Sequence, residues 1–413
     1  MGLIRTTLLS TIGVLIKILS MLTINKLLAI YLGPTGYPII GQFQNFLTTI
    51  SAVASGGIGS GVTKYTAEYV YEEKQKKLWS TSALLTILFS TILSMMLLIF
   101  NKHIARYLLI ENKILINIVA ISLPLYAINT LLIAILNGKR AIGKLVLTNI
   151  SNNLIILIVV GAGIILDGMR GALLFMAISQ AIVCIPTLYL IISEKWFKFE
   201  YLIGGIQKGI AKSLLSYSIA TLITSIIGPA SLMVVRTWII KESGIDSAGY
   251  WDAIIRIGGV ALIFISTPLS VYFIPRISEI NNKNLLIEEI YKGYLILIPV
   301  LVIGGIFIYL SRDLVIKVLL TNNFYQMRDL FGWQIIGDVL RAASWILSYY
   351  LLAKALINKF ILIEIFFSIS YITLNWILIS NYGVTGAPIA YAVNNLFYLF
   401  TLAYVVNLNL KDD

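Results

Sequence analysis

The sequence predicts an all-α membrane protein with twelve transmembrane helices, arranged as two six-helix bundles related by a pseudo-two-fold axis along the membrane normal. Three observations predict this fold class: the composition, the long apolar runs and an internal repeat. Of the 413 residues, 59% are hydrophobic and 12% are charged, and the mean hydropathy is +0.91. A soluble chain of this length needs more charged surface. Because short alternating patterns typical of strands are missing, helices remain as the way to satisfy the backbone inside lipid.

Twelve apolar runs are long enough to span a bilayer, which takes roughly 20 residues per helix. The connections between them are short, and none is long enough to form a separate soluble domain. The predicted spans cover residues 6–30, 38–61, 80–100, 114–136, 145–166, 171–193, 213–240, 249–275, 293–310, 330–353, 360–380 and 384–408.

The distribution of Lys and Arg between alternate loops predicts the orientation of the chain. With the N-terminus inside, the cytoplasmic segments carry 18 of the 31 basic residues and the outer loops carry 8. This excess predicts a multi-pass protein with both termini in the cytoplasm. The formal net charge of +12 therefore indicates contact with anionic membrane lipids and not with nucleic acid.

The two halves of the chain repeat each other at an offset of about 215 residues. An even number of helices per half gives both repeats the same orientation, which predicts a parallel repeat with a substrate site between the halves. The matching positions are Lys139 and Lys144 with Lys354 and Lys359, Gly168, Gly171 and Ala172 with Gly383, Gly386 and Ala387, and Gly36-Tyr37 with Gly249-Tyr250.

This repeat predicts the domain organisation. Residues 1–193 form an N-terminal six-helix bundle, and residues 213–413 form a C-terminal one. The segment between them, 194–212, mixes aromatic side chains with lysines in the sequence EKWFKFEYLIGGIQKGIAK. That mixture is typical of a segment at the membrane surface, so we expect 194–212 to be a cytoplasmic interfacial linker.

Eight ionisable residues fall inside the predicted spans, where a charge costs about 2.5–3.5 kcal/mol at the bilayer centre. Such charges are rare and often functional. Five cations against three anions leave an excess of +2, which suits an anionic substrate such as a diphosphate diester. The cations, our substrate-binding candidates, are Lys17, Lys26, Arg236, Arg256 and Arg341, and the anions, candidates for a coupling ion or for charge pairs, are Asp252, Asp338 and Glu364.

Four of these charges have a structural alternative, because they could form two intrahelical ion pairs. Asp252 and Arg256 are spaced i,i+4, and Asp338 and Arg341 are spaced i,i+3. Residues at these spacings are neighbours on a helix surface, so each pair could serve only to lower its own burial cost.

The other four charges differ in how readily a structural role explains them. Lys26 and Arg236 lie toward helix ends, so their side chains could extend to the interface. Lys17 lies in the middle of the first helix with no acidic neighbour, which favours a cavity. Glu364 also lacks an acidic or basic neighbour in its helix; a protonated buried carboxyl is the structural alternative, and a proton or cation site is the functional one.

No motif for catalysis or for a cofactor occurs in the sequence. The pattern GxxxxGK[ST] is absent, so ATP hydrolysis is not expected. Clusters with metal-ligand spacing and nucleophile elbows are also absent. The sequence therefore predicts a carrier that is not an enzyme and holds no metal or cofactor. Asp338 or Glu364 could hold a proton or sodium ion if transport is coupled to an ion gradient.

Four stretches resemble the Wzx-type polysaccharide flippases of the MOP exporter superfamily. They are Lys17–Gly36, which ends in GPTG, then Gly61–Tyr65 (GVTKY), Ser270–Arg276 (SVYFIPR) and 324–340. The last, FYQMRDLFGWQIIGDVL, is followed by Ala353-Lys354-Ala355. It is the most specific and is similar to the flippases for enterobacterial common antigen lipid III and to O-antigen translocases.

The resemblance implies a twelve-helix carrier in the bacterial inner membrane. Its substrate would be an undecaprenyl-diphosphate-linked oligosaccharide, moved from the cytoplasmic to the periplasmic leaflet. The resemblance also implies a polysaccharide polymerase and a chain-length regulator as partners. Basic residues of the family's central cavity contact the diphosphate and sugars; Lys17, Lys26 and Arg341 occupy matching positions, and Arg236 matches less well.

Three other classes of protein compete with this hypothesis. A cation-coupled drug antiporter of the same superfamily would need an acidic cavity for cationic drugs, whereas the excess here is basic. A polysaccharide polymerase usually has a large periplasmic loop, and the longest outer loop predicted here is 311–329. A scaffold without transport activity gives no reason for eight intramembrane charges.

Overall fold

The computed structural model describes residues 3–110, 112–280 and 282–412, and the secondary structure of this part of the chain is helical. The α-helices are α1 (Leu3–Tyr31), α2 (Gly33–Ala54), α3 (Gly59–Glu68), α4 (Glu72–Ile99), α5 (Asn101–Tyr107), α6 (Ile114–Gly138), α7 (Ile142–Ile182), α8 (Cys184–Ile192), α9 (Lys208–Ser243), α10 (Ile245–Glu279), α11 (Lys283–Leu310), α12 (Arg312–Leu319), α13 (Phe331–Ala353), α14 (Ile357–Tyr382) and α15 (Gly386–Asp412). Short 3-10 helices cover Phe199–Leu202, Asn322–Leu330 and Gly383–Thr385.

The predicted spans coincide with helical segments, and the span 171–193 covers the second part of α7 together with α8. Within the described ranges, nine segments meet both the length and the hydropathy of a spanning helix. Two of these segments, Ile142–Ile192 and Ile357–Leu410, contain two predicted spans each, separated by glycines with positive φ. α2 is a further long helix, less apolar because it carries several polar side chains. The prediction of an all-α membrane protein is confirmed.

The second predicted span, 38–61, differs from the structure at both ends. α2 begins at Gly33, with a proline in its first turn, and ends at Ala54. Gly56 and Gly57 have φ of +63° and +62°, and a Cβ at Gly57 would lie 2.9 Å from the Ser218 carbonyl oxygen. Because L side chains rarely adopt this conformation, the glycines break the helix here, and α3 starts after the turn.

Backbone features recur at the offset of the predicted internal repeat. Arg140 and Ala355, which are 215 positions apart, both have positive φ, 53° and 57°. The glycines after the next span agree as well. A Cβ on Gly171 would lie 2.0 Å from the carbonyl oxygen of Gly163, and a Cβ on Gly386 would lie 2.2 Å from that of Leu378. The two halves therefore share backbone turns and close helix contacts, in addition to the matching residues found in the sequence.

The described helices form two compact units. The first, here the N-terminal unit, contains Met1–Leu32 and Ile39–Ala230, and the second, the C-terminal unit, contains Gly33–Pro38 and Ser231–Asp413. The division therefore falls inside α9 and not at 194–212. The first part of α9 packs on α3, where the Lys64 ammonium donates a hydrogen bond to the Tyr217 hydroxyl.

The segment 194–212, predicted as an interfacial linker, packs against α4 of the N-terminal unit. The Trp79 ring is buried and lies 5.9–6.3 Å from the rings of Trp196, Phe197 and Tyr201. These aromatic contacts hold the segment against the unit. Its role as a linker at the cytoplasmic interface stays a prediction.

Candidate functional site

The eight intramembrane charges divide between the two units. Lys17 and Lys26 lie on α1 in the N-terminal unit. The other six lie on α9, α10, α13 and α14 of the C-terminal unit. Each unit is therefore described with its own charges and cavities.

Arg236 and Asp252 form a salt bridge between α9 and α10. Nε and Nη2 of Arg236 each donate a hydrogen bond of 2.7 Å to one carboxylate oxygen of Asp252. Both side chains are almost completely buried, and the guanidinium also lies 5.6 Å from the Trp251 ring. Because Asp252 gives both oxygens to Arg236, the proposed intrahelical pair with Arg256 does not describe it. The burial of Arg236 also rules out extension of its side chain to the interface.

Arg256 lies one turn after Asp252 on α10 and packs on an aromatic ring. Its guanidinium carbon is 5.4 Å from the centre of the Tyr37 ring. Tyr37 is completely buried and makes an edge-to-face contact with Phe324 at 4.9 Å. Tyr37 belongs to the short segment of α2 that packs with the C-terminal unit. A cation over an aromatic face is stabilised by the ring quadrupole.

Arg341 belongs to a network that connects α13, α14 and α15. Its Nη2 lies 3.8 Å from Oε1 of Glu364, and its guanidinium carbon lies 5.0 Å from the Tyr398 ring. The Tyr398 hydroxyl donates a hydrogen bond to Glu364 and is 3.1 Å from the Ser348 hydroxyl. The Arg341 side chain remains 33% exposed. Its ionic partner is thus Glu364 and not Asp338, its neighbour in sequence, and Glu364 is not isolated as the sequence indicated.

Asp338 lies one turn before Arg341 on α13 and faces a small cavity. Its carboxylate accepts a hydrogen bond of 3.1 Å from Gln334 and interacts with the Tyr391 side chain. The cavity, of about 90 Å³, lies between α10, α11 and α13 and is otherwise mostly apolar. A Cβ on Gly258 would lie 2.5 Å from a carboxylate oxygen of Asp338. The glycine therefore makes room for the carboxylate.

Lys17 is exposed on α1, and its position on the helix indicates which environment it faces. Ile12, Leu15 and Leu19 are also exposed and share one side of the helix. Lys17 lies on the opposite side, since successive residues are about 100° apart. Among the described residues it has no hydrogen-bond or ion-pair partner. An apolar surface toward lipid and a cation on the other side indicate that Lys17 faces away from lipid.

Lys26 lies two to three turns after Lys17 on α1 and is half-buried. It interacts with other groups of the protein. It is therefore less open than Lys17.

The N-terminal unit contains a polar cavity of about 400 Å³ that the sequence analysis missed. It lies between α1, α2, α6 and α7, and every residue of its wall is uncharged. Its polar side chains are Gln44, Asn45, Thr48, Ser51, Tyr126, Ser179 and Gln180.

A search for charges could not find this cavity, but the sequence carries a signal for it. Gln44, Thr48 and Ser51 follow one another at i, i+4 and i+7, which places them on one face of α2. A polar stripe of this spacing within a span indicates a face that avoids lipid.

The fold of the described helices is shared with solved transporters of the MOP superfamily. An inward-facing structure of a multidrug resistance MATE family transporter of this superfamily superposes with a TM-score of 0.83 at 14% identity, covering 96% of this chain and 95% of that one. The lipid II flippase MurJ in an inward closed conformation gives a TM-score of 0.75 at 17% identity, covering 98% of this chain and 87% of that one. The likeness to both structures establishes the fold.

Sequence comparison identifies the family. The family model described as polysaccharide biosynthesis protein matches residues 4–281, and the chain belongs to this family. A lipid III flippase of Escherichia coli strain K12 is 30% identical over 402 residues, which cover 96% of each chain. The resemblance to polysaccharide flippases that the motifs indicated is thereby confirmed, and the chain is an integral membrane protein.

Proposed function

We propose that the protein is a flippase for an undecaprenyl-diphosphate-linked oligosaccharide, either an O-antigen unit or lipid III. It moves this lipid from the cytoplasmic to the periplasmic leaflet of the bacterial inner membrane. It is a carrier and not an enzyme. Family membership and the lipid III flippase relative support the class of substrate.

The environment of Arg341 is the observation that carries this proposal. Its guanidinium is inside a membrane-spanning helix yet remains one-third exposed. Its contact with Glu364 is long, at 3.8 Å, and single. A guanidinium so placed can bind phosphate oxygens through two parallel charge-assisted hydrogen bonds. An exposed arginine of this kind in lipid suits an anionic headgroup.

The intramembrane cations differ in how open they are to substrate. We propose that Arg341 and Lys17 bind the diphosphate, with Lys26 and Arg256 contributing from more enclosed positions. Arg236 has a structural role in this proposal, because its bidentate bond with Asp252 consumes both carboxylate oxygens. Asp252 is accordingly a charge-pair partner and not a coupling site.

Coupling to a proton or sodium gradient is proposed for Asp338 and Glu364. Asp338 has amide and phenol neighbours instead of a basic partner at ion-pair distance in the described residues. Glu364 contacts both Arg341 and Tyr398, so a change in its charge reaches the proposed diphosphate site directly.

We propose alternating access, in which the binding residues open to the cytoplasm and then to the periplasm. The excess of basic residues in the predicted cytoplasmic loops supports an orientation with both termini inside. A polysaccharide polymerase and a chain-length regulator are the proposed partners, because they use the lipid after translocation.

A cation-coupled drug antiporter of the same superfamily is the alternative with the same fold. Its cavity should favour cations, whereas Lys17 and Arg341 are the exposed intramembrane charges described above. The sign of these charges favours an anionic substrate.

The experiment is a leaflet assay in a strain lacking the gene, complemented with variants. Translocated lipid-linked oligosaccharide is measured by periplasmic accessibility, and total lipid by extraction. We expect Arg341→Gln and Lys17→Gln to reduce translocation at least tenfold, as loss of a charge-assisted hydrogen bond of about 1.5–3 kcal/mol implies. Arg312→Gln and Lys102→Gln are matched controls, because these residues lie outside the spanning segments.

Substrate must accumulate in the cytoplasmic leaflet of the deletion strain for the proposal to hold. Normal periplasmic delivery without the gene would remove the flippase function. Drug sensitivity of the deletion strain with normal delivery would favour the antiporter. Wild-type translocation by both variants would overturn the diphosphate assignment alone.

A further inference from the structure

The polar cavity of the N-terminal unit has the hydrogen-bonding chemistry of a neutral ligand. Its wall contains three carboxamides, from Gln44, Asn45 and Gln180, together with four hydroxyl groups. A carboxamide has two donor hydrogens and two acceptor lone pairs, and a hydroxyl has one donor and two acceptor lone pairs. The ring hydroxyls of a sugar offer the same mixture of donors and acceptors.

Part of this hydrogen-bonding capacity is not used within the protein. The Thr48 hydroxyl donates to the Gln44 carbonyl oxygen and the Ser179 hydroxyl to that of Met176, both at 2.9 Å, which leaves their lone pairs available. The Gln180 side chain has no hydrogen-bond partner among the residues that the structure describes. These groups are therefore available to hydrogen-bond a polar ligand in the cavity.

The internal repeat allows the uncharged wall of this cavity to be compared with the equivalent positions in the C-terminal half. At the 215-residue offset, Tyr126 in the cavity wall corresponds to Arg341, and Asn149 on α7 corresponds to Glu364. The backbone turns at equivalent positions are the same in both halves. The C-terminal half thus has an ion pair where the N-terminal half has a tyrosine and an amide. Equivalent backbone positions therefore carry charged side chains in one half and neutral hydrogen-bonding side chains in the other.

Size and position also fit one part of a larger substrate. A volume of about 400 Å³ lies within the usual range of roughly 300–1,000 Å³ for small-molecule sites. Ile24 of the cavity wall is on the same side of α1 as Lys17, seven residues away. Seven residues of α-helix rise about 10 Å. A group held in the cavity can therefore be joined to a phosphate at Lys17 within one substrate molecule.

We infer that this cavity binds a sugar residue of the lipid-linked substrate through the side chains of Gln180, Asn45 and Tyr126, and so contributes to the choice of glycan. The inference rests on the proposed flippase function. A site built from hydrogen-bonding groups discriminates strongly, because a substrate that lacks the matching hydroxyl leaves them unpaired.

The test compares two lipids in proteoliposomes that contain the full-length protein. One is undecaprenyl diphosphate carrying the oligosaccharide extracted from the host bacterium, and the other is undecaprenyl diphosphate without sugar. The variants are Gln180→Leu and Tyr126→Phe. The matched control is Asn153→Leu, an amide on the same helix that bonds the Asn149 carbonyl oxygen and is outside the cavity wall.

We expect both cavity variants to flip the glycosylated lipid about 10-fold more slowly, the factor for loss of one hydrogen bond. Flipping of the bare lipid should stay within about 2-fold of wild type, as should both lipids in Asn153→Leu. Equal loss for the two lipids, or no loss for either, would overturn the inference. If Tyr126→Phe flips neither lipid, a slower rate for the glycosylated lipid alone in Gln180→Leu is sufficient support.

If the wild-type protein flips neither lipid, the proposed function fails and the cavity is tested by binding alone. The released oligosaccharide is then titrated into the purified protein by calorimetry. Binding that Gln180→Leu weakens about 10-fold would uphold the sugar site without the flippase. Absence of binding to the wild-type protein would overturn the sugar site as well.

Discussion

Substitutions in the salt bridge between Arg236 and Asp252 test the stability of the protein separately from lipid transport. Both side chains are almost completely buried, and two hydrogen bonds of 2.7 Å join them. Removing one partner leaves an uncompensated buried charge, which costs about 3–5 kcal/mol. We therefore expect Arg236→Met and Asp252→Leu each to lower the free energy of unfolding by this amount.

Replacing both partners together should have a much smaller effect. An apolar pair of similar volume removes the unpaired charge and also the desolvation penalty of the ion pair, so the double variant should be about as stable as wild type. The double-mutant cycle then gives a coupling energy of about 6 kcal/mol or more, because the double variant recovers both single losses of about 3–5 kcal/mol. Since we assign Arg236 no contact with substrate, the double variant should also flip the lipid at a rate close to wild type.

The free energy of unfolding is measured in mixed detergent micelles, and translocation is measured in proteoliposomes. The exposed pair Lys292–Glu288, also bridged at 2.7 Å, is the control cycle. We expect no measurable coupling there, because water and salt screen exposed charges. A coupling energy below about 1 kcal/mol for the buried pair would refute this reasoning. A stable double variant that fails to flip the lipid would make Arg236 a substrate contact.

Two glycine substitutions test close contacts in the C-terminal unit against glycines with open surroundings. Gly258→Ala should slow transport, because its Cβ would lie 2.5 Å from an Asp338 oxygen. Gly259→Ala is the control, since a Cβ there has nothing within 4 Å. Equal transport rates of the two variants in proteoliposomes would contradict the role of Asp338. Gly386→Ala should lower the midpoint of thermal unfolding, since overpacking costs about 1–3 kcal/mol and its Cβ would meet a backbone oxygen at 2.2 Å. Gly304→Ala has open space and should be neutral or stabilising, and similar midpoints for the two would contradict the close packing at Gly386.

Hydropathy and repeats predicted the membrane fold because those signals are local or recur along the chain. Each spanning run has to be long and apolar on its own, whatever its neighbours are. The offset of 215 residues, predicted from Lys139 and Lys354, also relates the positive-φ residues Arg140 and Ala355 that follow them. The break after Ala54 was missed, because Gly56 and Gly57 stand inside an apolar run that continues past them.

The pairing of the charges could not be predicted, since it depends on which helices pack together. Spacing along one helix suggested Arg256 as the partner of Asp252, but the partner is Arg236 on α9. Arg341 likewise meets Glu364 on another helix and not Asp338 on its own. An ion pair between two helices leaves no periodic signal in the sequence of either helix.

The internal repeat offers a physical account of the proposed recognition of a substrate with two unlike parts. Duplication preserved the features that packing demands, such as the close contacts of Gly171 and Gly386, where a Cβ would overlap a backbone oxygen. Side chains that face open space are under no such constraint. The two halves differ at such a position, with Tyr126 on the wall of a neutral cavity and Arg341 partly exposed beside Glu364. A diphosphate needs cations and a sugar needs neutral hydrogen-bonding groups, so divergence at equivalent open positions supplies both without changing the backbone.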